Sequence, residues 1–174
     1  MSTVKFLKVR DVKSPLRGTN EAAGIDFFVP NYNEQFEKDF KEKNPSIKCE
    51  VNNYTADMII WLSPGERVLI PSGIHTWMEP GTALIAANKS GVATKKGLVF
   101  GAQVVDSDYA GEVHISVINT SNTFVKIETG DKLIQFIHTP VLLSPVEEVD
   151  RASYDFLHDK SQRGAGGFGS TGTK

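Results

Sequence analysis

Short runs of β-branched and aromatic residues, separated by turn-forming residues, cover most of this chain. Turns containing glycine, proline or acidic residues fall between the runs, for example at Pro64-Gly65 and at Pro71-Ser72-Gly73. Many short strands at this spacing predict an all-β sandwich or barrel, and 174 residues are enough for one domain with a sizeable core. The predicted strands are residues 4–9, 67–70, 74–77, 82–87, 113–118, 124–127 and 133–137.

Two segments interrupt the strand pattern. Within residues 31–50, Phe36 and Phe40 are four residues apart among charged side chains, which predicts a short amphipathic helix. This segment is either a surface insertion that packs two rings or a site for a partner protein. Residues 90–97 predict a second short helix, with Ser90 as its N-cap and a glycine as its stop. Its first amides would form an anion site.

Composition and charge narrow the classes of function. The net charge is −2, so the chain has no global basic field for nucleic acid or for an anionic membrane. Cys49 is the single cysteine, which excludes an internal disulfide and a cysteine-rich metal site. No apolar run reaches the roughly 20 residues of a membrane span, and the N-terminus lacks a signal-peptide core. We therefore expect an intracellular, cytoplasmic protein.

Several polar side chains lie within or beside segments of the sequence that are otherwise apolar. Residues 104–118 predict a β-hairpin whose mouth holds Asp106, Asp108 and Tyr109, a cluster that serves either function or turn chemistry. Gln135 and Asp26 each lie within an apolar run. A buried amide or carboxylate needs a partner, so both are either satisfied structural groups or parts of a site.

The last twelve residues, 163–174, are rich in glycine. Five glycines surround Arg163, Phe168 and hydroxyl residues, so ordering this segment would cost much backbone entropy. The segment is either a loose terminus or a tail that wraps a ligand, with amides and hydroxyls for phosphates and a ring for a flat base.

Five segments, taken in order, resemble the five motifs of the trimeric dUTP pyrophosphatase (dUTPase) family. Residues 104–112 and the glycine-rich tail are the most specific of the five. The resemblance runs from Lys8 to Gly172 and is interrupted by an insertion at residues 31–56. The motifs are similar to residues 22–26, 89–98, 104–112, 130–135 and 163–172.

The resemblance implies a fold, an assembly and a reaction. The family fold is a jelly-roll-like, distorted β-barrel, here as a single domain at residues 1–162 followed by a flexible tail at 163–174 that closes an active site. The family forms homotrimers with active sites shared between subunits. It hydrolyses dUTP to dUMP and pyrophosphate with Mg²⁺, which supplies dUMP for thymidylate synthesis and keeps uracil out of DNA.

The resemblance also implies roles for individual residues. Asp106 would be the general base for the attacking water, and Tyr109 would lie under the deoxyribose and exclude a 2′-hydroxyl. Asp26 would bind Mg²⁺ through water. Lys89 stands where the family usually has arginine. The implied substrate-binding residues are Lys89, Ser90, Gly91, Val104, Val105, Tyr109, Gln135, Arg163, Phe168, Gly169 and Ser170.

Two other functions are compatible with parts of this sequence. A dCTP deaminase shares the fold, but such enzymes lack the Tyr109 segment and the Phe168 tail. A nucleotide-gated regulatory protein would act on a partner through the insertion at residues 31–56. A product assay with dCTP distinguishes the first, and deletion of residues 31–50 tests the second.

Overall fold

The computed structural model describes residues 3–52, 54–55, 57–162 and 164–166. It divides into two units, residues 1–142 and residues 143–174. All strand pairs within the described ranges are antiparallel. The elements are β1 (Lys5–Lys8), β2 (Gly24–Asp26), α1 (Glu34–Lys43), β3 (Lys48–Val51), β4 (Met58–Leu62), β5 (Arg67–Trp77), β6 (Thr82–Asn88), α2 (Ser90–Lys96), β7 (Leu98–Phe100), β8 (Val104–Asp106), β9 (Glu112–Asn119), β10 (Val125–Glu128), β11 (Ile134–Pro140) and α3 (Arg151–His158).

The strands of the first unit form three sheets. Their strand orders are β1-β5-β9-β7, β10-β4-β3 and β2-β11-β6-β8. The prediction of an all-β fold is confirmed. Among the described residues, no strand pairing between these sheets closes them into a barrel.

The core of the first unit follows from alternation along the strands. In β9 the alternate residues Val113, Ile115 and Val117 are buried, as the sequence pattern predicts. Phe27 and Phe136 pack with ring centroids 4.7 Å apart. One buried cluster contains residues from all three sheets and from α1. Burial of each large apolar side chain contributes roughly 1.5–3 kcal/mol to the stability of the fold. The apolar face of each strand therefore determines which of its sides packs against the core.

β5 is one strand where the sequence predicts two. Pro71, Ser72 and Gly73 do not break it, because the pairing with β9 shifts register between Pro71 and His75. Gly73 has φ +73°, a conformation that glycine adopts at little cost. The predicted break is therefore a β-bulge inside a continuous strand.

The predicted hairpin at residues 104–118 is wrong. β8 pairs with β6, while β9 pairs with β5 and β7 in another sheet. Alternation shows that two segments are strands, but it does not show which strand each one pairs with. The chain therefore changes sheet at the turn that carries Asp108 and Tyr109.

The helix predicted within residues 31–50 is confirmed as α1. The side chain of Asn33 caps it by accepting a 2.8 Å hydrogen bond from the Phe36 amide. Phe36 and Phe40 are fully buried, with ring centroids 5.9 Å apart. The later part of the segment is not helical, because β3 pairs there with β4.

α2 confirms the second predicted helix with a shifted start. Lys89, in extended conformation, is the N-cap, and Ser90 is the first helical residue. Gly97 ends the helix at φ +66°, as predicted.

The second unit contains α3, which the sequence reading did not predict. Asp150 caps it by accepting a 2.7 Å hydrogen bond from the Ser153 amide. Arg151 pairs with Asp155 one turn later at 2.9 Å. These capping and pairing residues are the sequence signal that could have identified it.

Candidate active site

A buried carboxylate lies at the centre of the first polar cluster. Asp26 ends β2, is 3% exposed and lies opposite Gln135 of β11. Its amide donates to the Leu16 carbonyl at 2.8 Å, and its carbonyl accepts from the Leu16 amide at 3.2 Å. This backbone pairing holds Asp26 in place.

Two lysines bind the Asp26 carboxylate, one on each oxygen. Lys89 Nζ donates to Oδ1, and Lys132 Nζ lies 3.0 Å from Oδ2. The Lys89 side chain is 20% exposed and that of Lys132 is 47% exposed. Two cations on one carboxylate leave a net positive charge that faces solvent, which suits a phosphate group. We name Asp26, Lys89, Lys132 and Gln135 the lysine cluster.

Gln135 lies opposite Asp26 on the neighbouring strand β11. Its Nε2 donates to the Asn88 carbonyl at 2.9 Å. A Cβ on Gly24 would overlap the Gln135 side chain, so only glycine leaves room for it. The amide of Gln135 therefore has its partner on β6 and lies next to the buried carboxylate.

Ser90 and Gly91 are exposed at the start of α2, next to Lys89. The amides of a first helical turn have no intrahelical acceptors, so they can donate to an anion. The structure thus brings Asp26, Lys89 and Gln135 together and puts Ser90 and Gly91 directly after Lys89.

The second group of predicted residues lines one cleft of about 240 Å³, which we name the Tyr109 cleft. Val104, Val105, Asp106 and Tyr109 all line it. Val104 is 58% exposed on β8, which is an edge strand of its sheet. The full lining is Leu69, Ala102, Gln103, Val104, Val105, Asp106, Tyr109, Val113, His114 and Phe136.

Asp106 and Tyr109 flank the turn between β8 and β9. Asp106 is exposed at the end of β8, and its carbonyl accepts from the Tyr109 amide at 3.2 Å. The Tyr109 hydroxyl donates to the Glu112 carbonyl at 3.0 Å. A Cβ on Gly111 would come within 2.5 Å of Tyr109 Oη, so the tyrosine ring lies directly over this glycine.

Glu112 and His114 support this turn from β9. Burial raises the pKa of the Glu112 carboxyl, but hydrogen bonds from Arg10 and the Gly73 amide bring it to a net value below the usual range. Burial lowers the pKa of His114, whose Nδ1 lies 2.8 Å from the Glu112 carbonyl. That carbonyl can only accept, so Nδ1 carries the proton.

The two groups of residues are far apart within one chain. Asp106 pairs with Ala83 near the start of β6, whereas Lys89 directly follows its end. Lys89 lies six positions after Ala83 along extended chain, which is a distance of about 20 Å. Asp106 and the start of α2 therefore do not face each other across a single phosphate in one chain.

The described residues offer no cage for a metal ion. They contain no group of three or more histidine, cysteine or acidic side chains placed to hold one. Asp26 is a lone carboxylate, and both of its oxygens already accept from lysine. Such a donor set fits Mg²⁺ only as an ion held mainly by phosphate and water.

Four predicted site residues, Arg163, Phe168, Gly169 and Ser170, lie outside the described residues. Two residues of the described sites had no predicted role. Lys132 follows the turn of the fourth motif, and Glu112 ends the third. Their positions inside these motifs could have indicated a role for them. Their contacts could not be predicted, because the residues that they contact are distant in sequence.

Comparison with known proteins agrees with the fold and the motifs. A family model described as dUTPase matches residues 53–172, which leaves the first motif before its start. A deoxyuridine 5′-triphosphate nucleotidohydrolase of Hahella chejuensis is 44% identical over 118 residues, covering 66% of this chain and 74% of that protein.

Two solved structures share the fold at low identity. A mutant dUTPase of Staphylococcus bacteriophage 80alpha with dUpNHpp matches with a TM-score of 0.71 and 19% identity, covering 98% of both chains. A mutant dUTPase of S. aureus phage phi11, solved to examine coordination of a structural Mg(II) ion, matches at 0.62 and 18% over 86% of this chain and 97% of that one.

None of the helices in the described ranges has the length and apolar character needed to cross a membrane. The family match covers most of the chain, including the Tyr109 cleft, α2 and the turn before β11. On that match, this chain belongs to the dUTPase family.

Proposed function

We propose that this protein hydrolyses dUTP to dUMP and pyrophosphate, by attack of water on the α-phosphorus. The observation that carries the proposal is the Tyr109 cleft. It gathers an exposed carboxylate, a flat ring and an edge strand within about 240 Å³, the size of a small-molecule subsite. Family membership supports the same reaction.

Asp106 is the general base in this proposal. Its carboxylate is exposed at the end of β8 and orients the water, takes its proton and accepts a hydrogen bond from the 3′-hydroxyl. Attack forms the new P–O bond to water oxygen and breaks the bond between the α-phosphorus and the bridging oxygen. Pyrophosphate leaves with the electron pair of that bond.

The Tyr109 cleft selects the nucleoside. Val104 and Val105 lie on edge strand β8, whose outward-facing backbone groups would pair with the polar edge of uracil as a neighbouring strand would. The close fit excludes the methyl group of thymine and mismatches the donors of cytosine. The ring of Tyr109 leaves no room for a 2′-hydroxyl.

The lysine cluster and the start of α2 bind the phosphates. Lys89 supplies charge, while Ser90 and the Gly91 amide bind oxygens around the bond that breaks. Gln135 binds a phosphate oxygen or a water. The excess positive charge around Asp26 supports this role.

We infer that the enzyme is a homotrimer whose active sites combine different subunits. The separation of about 20 Å between Asp106 and Lys89 along β6 supports this, because both must act near the α-phosphate. One subunit supplies the Tyr109 cleft and a second supplies the lysine cluster. A third supplies the tail, with Phe168 over uracil, Arg163 on the terminal phosphate, and Gly169 and Ser170 as further donors.

Mg²⁺ enters with the triphosphate in this proposal. The lone carboxylate of Asp26 would bind metal-held water rather than the ion itself. When bound, the ion neutralises charge on the phosphates and on the departing pyrophosphate.

The test is pyrophosphate release from dUTP, UTP, dTTP and dCTP by the purified protein. We expect turnover of dUTP alone. Asp106→Asn should lower kcat by a factor on the order of 10²–10⁴, the usual contribution of a general base, while dUTP binding is retained. Binding is measured by calorimetry with a nonhydrolysable analogue. Full activity of Asp106→Asn would refute the assigned base, and release of ammonia from dCTP would refute the reaction.

A further inference from the structure

Arg10 joins two carboxylates from distant parts of the chain. Its Nε donates to Glu112 Oε1 at 2.8 Å, and its Nη2 donates to Glu112 Oε2 at 2.9 Å. The same Nη2 donates to Asp39 Oδ2 at 2.6 Å. The Arg10 side chain is only 10% exposed, so these charge-assisted bonds are largely shielded from water.

Glu112 connects this arginine to Tyr109. The side chain of Glu112 is held from two directions, since Oε1 also accepts from the Gly73 amide at 2.6 Å. The backbone carbonyl of the same residue accepts the Tyr109 hydroxyl. The group that holds the tyrosine hydroxyl therefore belongs to a residue that Arg10 fixes.

The insertion supplies the second anchor of Arg10. Asp39 lies on α1, and the Phe36 ring lies 5.7 Å from the Arg10 guanidinium carbon. The buried rings Phe36 and Phe40 hold α1 in the core. The position of Asp39 is thus set by packing rather than by a flexible surface contact.

We propose that Arg10 is a positioning residue for Tyr109, acting through Glu112, and that α1 holds Arg10 through Asp39. Arg10 is absent from the described residues that line the Tyr109 cleft, so it acts on the substrate only through the tyrosine. Its function is to keep the ring where it excludes a 2′-hydroxyl. This inference rests on the proposed function, because it concerns selection of dUTP over UTP.

The test compares kcat/KM for dUTP and for UTP in Arg10→Met, Asp39→Asn and the wild type. We expect Arg10→Met to lower the dUTP-to-UTP ratio by about tenfold, mainly through a higher KM for dUTP, as expected when a charge-assisted anchor of a binding group is lost. Asp39→Asn should lower the ratio less, by about threefold, since both hydrogen bonds from Arg10 to Glu112 remain. In a Tyr109→Ala background, Arg10→Met should change the ratio no further.

This ratio separates positioning from a merely structural role, because the fraction of folded enzyme cancels in it. Lys126→Met is the matched control, since it breaks a solvent-exposed ion pair of similar length with Glu128 on β10 and should leave the ratio unchanged. If Arg10→Met does not fold, the milder Asp39→Asn decides the question. If the wild type prefers dUTP and the folded variants keep the same dUTP-to-UTP ratio, this inference is wrong while the proposed function stands. A wild type without dUTP turnover would overturn the proposed function and this inference with it.

Discussion

Tyr109 has its position because residue 111 has no side chain. A Cβ at this position would come within 2.5 Å of Tyr109 Oη and within 2.6 Å of Cζ, so the ring must move if any other residue is present. The backbone of Gly111 does not adopt the left-handed conformation that favours glycine, so alanine is compatible with it. This makes Gly111→Ala a way to displace the ring without removing it.

We expect Gly111→Ala to raise the KM for dUTP by about tenfold and to weaken discrimination against UTP, because the ring no longer fits the sugar. Steady-state kinetics with both nucleotides measure this. Gly18→Ala is the control, since a Cβ there meets no atom within 4 Å. Equal kinetic constants for Gly111→Ala and the wild type would contradict the role of the ring.

Sequence reasoning identified Tyr109 and Asp26 but not their immediate partners. Tyr109 stands in a distinctive motif, whereas Arg10 lies 102 residues from Glu112 and 29 from Asp39. Nothing local to Arg10 indicates those contacts. Similarly, the resemblance places Asp26 near metal-bound water, whereas its two ammonium partners are brought to it only when β2, β6 and β11 pair in one sheet.

At the scale of elements, α1 lies in the insertion at residues 31–56, which interrupts the resemblance to the family. Its spacing of Phe36 and Phe40 predicted a helix with one buried face, and the structure agrees. Burial of both rings makes this insertion part of the core rather than an appendage. Whether residues 31–56 also bind a partner protein stays a prediction.

Phe40→Ala should lower the free energy of unfolding by about 3–5 kcal/mol, the usual cost of removing a buried ring. Urea unfolding at equal protein concentration measures it, since association affects apparent stability. Tyr54→Ala, in the same insertion but 98% exposed, should change stability by less than about 0.5 kcal/mol. Similar small effects for both variants would contradict a core role for α1.

Strand pairing was the weakest part of the sequence prediction. The pattern at residues 104–118 gave two strands correctly, but their partners are in different sheets. The residues of Pro71-Ser72-Gly73 favour turns, so the sequence predicts a break between two strands there. In the structure, the long pairing of β5 with β9 accommodates these residues as a bulge. Both outcomes depend on contacts between distant residues.

At the scale of the whole molecule, we propose that one chain does not hold a complete site. The motifs indicate which residues form the site. They do not indicate that β6 separates Asp106 from the start of α2 by about 20 Å. In our proposal, a substrate whose α-phosphate needs both groups binds between chains. The family resemblance implies such a shared site, and the strand register supports it.

Subunit mixing tests this claim most directly. Asp106→Asn and Ser90→Ala chains, each of low activity alone, are co-expressed with different tags at equal levels, and mixed oligomers are purified through both tags. If Asp106 and Ser90 of one site come from different chains of a trimer, every mixed trimer has one intact site, which is about a third of its sites. We predict that dUTP turnover recovers to roughly that fraction of the wild type. Mixed oligomers no more active than either parent variant would contradict the shared site.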